Sequence, residues 1–367
     1  MGSAAVGAGA PNATTPGTPG SANPFWEVTN LFAQKNKQGA TAATALSATT
    51  IPGGGAVNPG NFLRGLRLLV RSSTGVAGVG GADAPFSVLK NAGLQNTDGA
   101  TILYGTISGY AYVQRQRFFR PWLRDPSTGS DYSDSTNPAF TLFLGPEVRQ
   151  QLGALENTDT RSAYQFTYTI APSATVFSTA PTTEPKVSVT PYADMWAQPD
   201  AVDLETVPNQ QIPPGVNLQT KTRHQVFTLN PAGSQNSLLS TLTGNAIRGV
   251  LLIVRNATKA RVDAVGTPMS WQLDARNLGV FSPTILFQWA EDFFKAYGGV
   301  ARPTGVYPWL RYFNPGTLYG QGWQYTANST AFSVTFPTAT GTAAGTVELV
   351  QEEVYAVGAV TPSLIDL

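Results

Sequence analysis

The sequence contains no cysteine and a single histidine, His224. Without cysteine there is no disulfide, no thiolate nucleophile and no zinc site of the cysteine type. One histidine excludes the metal centre of a two-domain cupin, which takes about three histidines per ion. His224 reads as a surface or packing residue near the junction of two halves. Charge is scarce as well: Asp, Glu, Lys and Arg make up 12% of the 367 residues, about half the usual share. The net charge of +1 gives no global field to draw in nucleic acid or an anionic membrane. No Lys or Arg precedes Lys35, which excludes a basic arm that neutralises packaged RNA. No apolar run approaches the ~18 residues of a membrane span. Residues 1–24 lack the basic start and apolar centre of a signal peptide, and Val6 stands where myristoylation after Met1-Gly2 wants Ser or Thr. The expectation is a soluble chain that is not exported unaided.

What is present is β texture. Hydrophobic residues reach 42%, with 37 Gly and 27 Pro. Short strands joined by many turns produce that mixture, whereas long exposed helices would need more Glu, Lys and Arg. Residues 1–24 are Ala, Gly, Pro, Thr and Ser with almost nothing to bury, and read as a flexible arm.

The informative feature is an internal repeat. Residues 62–75 (FLRGLRLLVRSSTG) match residues 246–259 (AIRGVLLIVRNATK), sharing Arg64/Arg248, Gly65/Gly249, Val70/Val254 and Arg71/Arg255. Pro121-Trp122-Leu123-Arg124 recurs as Pro308-Trp309-Leu310-Arg311. More weakly, Asp194-Met195-Trp196-Ala197 aligns with Glu353-Val354-Tyr355-Ala356, which makes the first copy longer by about 28 residues. The extra residues are expected around 125–160 and in the Pro-rich 171–186 stretch. The chain therefore holds two copies of one fold.

Tyr164–Ile170 alternates apolar and polar with period two, as does Phe332–Phe336, so both are half-buried strands. Leu66–Val70 and Val250–Val254 are almost continuously apolar and β-branched, which favours strands covered on both faces. Each half offers seven or eight strand candidates, the pattern of an antiparallel sandwich. The fold class expected is all-β: two tandem eight-stranded antiparallel jelly rolls with few short helices. The division expected is an arm at 1–24, a larger first jelly roll at 25–215 and a second at 216–367, with residues 198–222 as the connection. Gly145-Pro146-Glu147 would open a short helix carrying Val148, Leu152 and Leu155 on one face. Residues 287–299 fit a helix or a strand equally, because the aligned Ser108–Phe119 segment alternates.

Catalytic motifs are absent from this pattern, and no catalytic, cofactor-binding or metal residue is assigned. Gly75–Gly81 lacks the Lys-Ser/Thr of a phosphate loop. Asp125, Asp131 and Asp134 fail the EF-hand spacing and read as a solvated loop. In Glu291-Asp292 and Glu352-Glu353 adjacent side chains of a strand point to opposite faces, so neither pair converges on one sugar. Trp122 and Trp309, repeated in the same tetrapeptide, read as packing residues rather than sugar-stacking ones.

The apolar Arg-Gly strand at 64–71, the Ala84–Asn91 run, the Asn96–Gly99 turn and a Tyr110–Gln114 strand carry a resemblance. From about Phe25 onward the chain resembles the double jelly-roll major capsid proteins of tailless icosahedral viruses, tectivirus-like bacteriophages above all. The resemblance implies a non-enzymatic, cofactor-free subunit of pseudo-hexagonal homotrimers, with strands standing normal to the shell. It implies partners in neighbouring trimers, penton or minor capsid proteins and the proteins of an underlying viral membrane around double-stranded DNA. It implies no sequence-specific nucleic-acid binding, a place in the virion shell, and assembly in the host cytoplasm. Residues 1–24 and Thr361–Leu367 would reach adjacent subunits. The rival readings are a phage spike and a tandem carbohydrate-binding β-sandwich.

Overall fold

The computed structural model describes residues 28–29, 44–45, 49–57, 61–72, 78–95, 107–120, 123–128, 132–133, 138–146, 153–157, 164–196, 218–240, 245–274, 276–296, 302–309, 324–326 and 328–356. In chain order the first half supplies β1 (Val28–Thr29), β2 (Thr44–Ala45), β3 (Ile51–Ala56), β4 (Asn61–Ser72), β5 (Val79–Gly80), β6 (Leu89–Gln95), helix α1 (Gly109–Phe119), β7 (Ala139–Leu144), β8 (Leu155–Asn157), β9 (Gln165–Ile170), the single turn α2 (Ser173–Val176), β10 (Phe177–Thr179) and β11 (Lys186–Trp196). The second supplies β12 (Leu218–Leu229), β13 (Gln235–Ser240), β14 (Ala246–Asn256), β15 (Met269–Leu273), β16 (Arg276–Phe281), helix α3 (Pro283–Ala296), β17 (Val306–Trp309), β18 (Gln324–Tyr325), β19 (Phe332–Pro337) and β20 (Gly345–Ala356).

All the strand pairs are antiparallel, and the two halves repeat one plan. The larger sheet of the first runs β1-β11-β4-β7, with β2 also on β11 and β8 on β4; that of the second runs β12-β20-β14-β17, with β18 on β14. The smaller sheets run β3-β9-β6 and β13-β19-β15-β16. Each half is a sandwich whose core lies between its two sheets: Leu66, Leu68 and Val70 meet Leu94, Phe166 and Ile170 in one, and Val250, Leu252 and Val254 meet Trp271, Val334 and Phe336 in the other. This is the double jelly roll expected from the sequence. The alternating segments at 164–170 and 332–336 become β9 and β19, which hold the same place in their sheets.

The Arg-Gly repeat marks a β-bulge present in both halves. In the first, Gly65 faces Asp194 while Leu63 faces Met195, so Arg64 is the extra residue. In the second, Gly249 faces Glu352 while Ile247 faces Glu353, so Arg248 is extra. A bulge re-aims one side chain and twists the strand, and here it brings an arginine beside a carboxylate. Gly65 is needed there because a Cβ would come within 2.5 Å of the Leu144 carbonyl oxygen. Asp194 is thus the counterpart of Glu352, one position from the Glu353 of the sequence alignment. Arg64 to Asp194 spans 130 positions and Arg248 to Glu352 spans 104, so the first copy is longer by 26.

Three further expectations are corrected. The Tyr110–Gln114 strand is part of helix α1; of the two readings left open for 287–299 the helix holds, residues 287–296 belonging to α3. Leu155 lies in β8 rather than on a helix; residues 147–152 lie outside those described. Trp309 sits in β17 opposite Val250, and the residue opposite the equivalent Leu66 is Leu144. The second Pro-Trp-Leu-Arg segment therefore has β7, not residues 121–124, as its counterpart in the sheet. Pro121 and Trp122 lie outside the described residues. Pro308 is accommodated because, among the described residues, β17 ends its sheet with one edge unpaired.

Trp309 is nonetheless a packing residue, stacked on the fully buried Trp271 with ring centroids 4.8 Å apart and planes 10° from parallel. Phe332 closes the group at 5.6 Å from Trp309. Trp309→Ala should cost about 3–5 kcal/mol of folding stability, measured by denaturant unfolding. A loss below about 1 kcal/mol would place the ring outside the core.

Candidate functional site: the seam between the sandwiches

Helix α1 begins where Ser108 Oγ accepts the Ala111 N–H at 3.2 Å, capping a free donor of the first turn. From Gly109 to Arg120 each residue is buried. The helix rests on β6 and β7 of its own sandwich and on β14 and β20 of the other. Leu251, Ile253, Val306 and Val350, which project from the second sandwich, consequently join the hydrophobic core of the first. Strand β14 of the second half is covered on both faces, as its continuous apolar run predicted. In the first half Arg67 and Leu69 are only half-buried and Arg71 is exposed, so that strand has one face less covered.

The seam is fastened by charge. Glu352, fully buried on β20, accepts a salt bridge from Arg115 of α1. Arg248 Nη1 lies 3.2 Å and Arg120 Nε 3.6 Å from its Oε1. Burial alone would raise this carboxyl; the three guanidiniums more than offset it and hold it below the ordinary carboxylate range. A second cluster lies along the same seam. Asp83 of the first half receives Arg255 Nη1 at 2.6 Å and Arg261 Nε at 2.8 Å. Arg255 also donates to Glu348 at 2.9 Å. Tyr110 lies between, with its ring centroid 4.7 Å from Arg261 and 5.7 Å from Arg255. Burial, with Asp83 adding and Arg261 opposing, pushes its hydroxyl up to about 12. Thr220 N–H donates across the seam to the Pro146 carbonyl at 2.9 Å.

Glu353, the next residue, belongs to a separate group: Arg223 Nε at 2.9 Å, Asn245 Nδ2 at 2.6 Å and Gln351 Nε2 at 2.6 Å. Burial dominates there and raises its carboxyl despite these donors. Glu352 and Glu353 thus keep separate partners, as adjacent strand residues should. His224 is half-buried on β12 with Nε2 3.5 Å from Glu348. Asp125 is held by Arg117 at 2.6 Å, and Asp131 and Asp134 lie outside the described residues. Asp292 is exposed on α3. Gly80 and Val79 form β5, paired with β10, rather than a phosphate loop. Among the described residues no group of three His, Asp or Glu side chains is placed to hold a metal ion. The seam residues, Arg115, Arg120, Asp83 and Arg261, were not singled out by the sequence. Their partners lie more than a hundred residues away, and the local signal in the seam came from the repeated Arg248 and Arg255.

The arrangement defines a structural class: a doubled sandwich whose halves share a core and a buried ionic seam. Comparison with known proteins agrees on the fold. The fold is similar to the major capsid protein of STIV, the Sulfolobus Turreted Icosahedral Virus (TM-score 0.57, 14% identity, covering 88% of this chain and 98% of that one). It is also similar to the PBCV-1 virus capsid protein (0.60, 10%, 91% and 94%) and to the major capsid protein P2 of bacteriophage PM2 (0.53, 12%, 86% and 95%). No family model matches the sequence, and no curated protein matches it.

Glu352→Gln should cost about 3–5 kcal/mol at pH 7, because three buried cations lose their carboxylate. Glu353→Gln should cost less, about 1 kcal/mol. The two carboxyls have opposite linkage signs. Glu352, lowered, stabilises above its unfolded value of about 4.3 and loses this as pH falls through its folded value. Glu353, raised, loses stability as pH rises from its unfolded to its folded value. The gap between the two variants should therefore narrow as pH drops toward about 4. A gap that widens in urea titrations across pH would contradict this assignment.

Proposed function

We propose that the chain is a major capsid protein, a structural subunit whose homotrimers tile an icosahedral viral shell. The observation that carries this is the doubling itself. Both sandwiches repeat the same sheet order and the same bulge, and they are locked side by side by a shared core. Three such chains supply six similar towers, so a ring of three has a nearly hexagonal outline and fills a surface lattice. End-to-end similarity to three viral capsid proteins, with at least 86% of either chain covered in each comparison, supports the same reading. The role is one of assembly rather than catalysis.

The finer reading is a tailless, tectivirus-like bacteriophage with a membrane beneath its shell. The near-neutral chain with no cation before Lys35 supports it, because such an arm is not built to neutralise nucleic acid. Its partners are then neighbouring trimers, penton and minor capsid proteins and proteins of that membrane. Residues 25–215 and 216–367 are the two towers of each subunit, made and assembled in the host cytoplasm.

Purified protein should run as a stable trimer by light scattering and should form ordered sheets or closed shells by electron microscopy. A stable monomer that binds oligosaccharides would replace the capsid reading with a carbohydrate-binding one.

A further inference from the structure

Among the described residues, the seam inside the chain has a less covered counterpart on its outside. Helices α1 and α3 hold the same place in their sandwiches, each leading from the smaller sheet into the strand at one end of the larger, β7 or β17. Each starts from a serine cap, Ser108 for α1 and Ser282 for α3, whose Oγ accepts the Ile285 N–H at 3.4 Å. Counted from those caps, Tyr110 corresponds to Thr284, Ala111 to Ile285 and Arg115 to Trp289. The α1 positions are buried by the second sandwich. On α3, Thr284 is exposed, Ile285 is 39% exposed and Trp289 50%. An aromatic and a branched aliphatic residue, one helical turn apart, share that open face.

The matching surface is on the first sandwich. The sheet face that α1 covers in the second half presents Leu251, Ile253, Val350, Arg255 and Glu352. Its equivalents in the ladder are Arg67, Leu69, Tyr192, Arg71 and Asp194. Arg67, Leu69 and Tyr192 are half-buried and Arg71 is exposed. We infer that α3 of one copy docks, through Ile285 and Trp289, on the Arg67–Leu69–Tyr192 face of the next copy, as α1 docks on β14 and β20 within the chain. The inference rests on the trimeric capsid reading and says which surfaces close the ring.

The chemistry of the two pairs is complementary in reverse. Inside the chain the helix brings the cation, Arg115, and the sheet offers Leu251. Between chains the helix brings Trp289 and the sheet offers Arg67. Asp194, 1% exposed, already has Arg64 at 3.6 Å and Arg67 at 3.5 Å, so it asks no arginine of the incoming helix. Arg67 lies 5.0 Å from the Phe143 ring, with its planar group available for a second aromatic face. The two surfaces belong to one chain and differ from each other, so the contact is head-to-tail, and it closes as a ring at three copies.

The lack of native cysteine permits a direct test. Thr284 and Arg71 are the counterparts of Tyr110 and Arg255, which lie 5.7 Å apart across the internal seam, and both are exposed. The double variant Thr284→Cys with Arg71→Cys, treated with a short bismaleimide, should give covalent dimers and closed trimers on a denaturing gel. Trp289 also meets the Phe281 ring edge-on at 5.2 Å, so Trp289→Glu should still fold, with its unfolding midpoint compared on the dissociated subunit, and should raise the concentration for half-trimerisation at least about tenfold. A wild-type trimer in which the cysteines fail to link and Trp289→Glu still assembles would overturn the assigned face while leaving the capsid reading intact. A monomeric wild type would overturn both.

Discussion

One buried carboxylate ties the structure together. Glu352 is reached by Arg248 from its own sheet and by Arg115 and Arg120 from a helix of the other sandwich. A carboxylate with no exposure carries a large desolvation cost, and only near and well-aimed cations offset it. The aim is set by the bulge at Arg248-Gly249 and by the Ser108 cap. Slide the helix along the sheet by one residue and the guanidiniums leave the carboxyl, while the apolar contacts to Leu251 and Val350 change little. We read the cluster as fixing where the sandwiches meet, with the apolar contacts supplying most of the adhesion.

From that fixed seam the rest follows. Strand β14, covered on both faces, can be apolar from Val250 to Val254, and its residues from Ala246 to Arg255 are all buried. Asp83, Arg255, Arg261 and Tyr110 extend the contact to the neighbouring loop, so the two sandwiches are joined by ion pairs at two places along the seam. Under the proposed capsid role such fastening matters, because any hinge between the towers would be multiplied across the lattice.

The repeat was legible because it has a local cause. Arg and Gly recur together at 64–65 and 248–249 because the bulge needs a glycine beside Leu144 and brings an arginine to a carboxylate. The strands at 165–170 and 332–337 were legible because one face is buried and the other is less covered. Helix α1 was not. Its sequence, GYAYVQRQRFF, sets aromatic and polar residues in turn, and a helix surrounded on all sides shows no apolar stripe. Its arginines are polar in composition yet belong inside, because their counterion is Glu352, more than two hundred residues away. Long-range charge pairing leaves no period in a sequence. The paired Pro-Trp-Leu-Arg segments misled for the opposite reason: a matching tetrapeptide is short enough to recur without a shared place in the sheet.

The differences between the two helices then explain how a chain with two similar halves avoids pairing them wrongly. Place α1 of one copy on the first sandwich of another, and Arg115 meets Arg67, like charge on like, while Asp194 already has its cations. Place α3 on a second sandwich, and Glu352 keeps Arg248 but loses Arg115 and Arg120, leaving a buried charge with most of its compensation gone. Each helix fits one sheet and is rejected by the other, so discrimination comes from the misfits as much as from the contacts. Around a ring of three, that rule enforces alternation of first and second sandwiches. In the proposed trimer, near-sixfold shape would come from what the halves share, and threefold assembly from the few residues in which they differ.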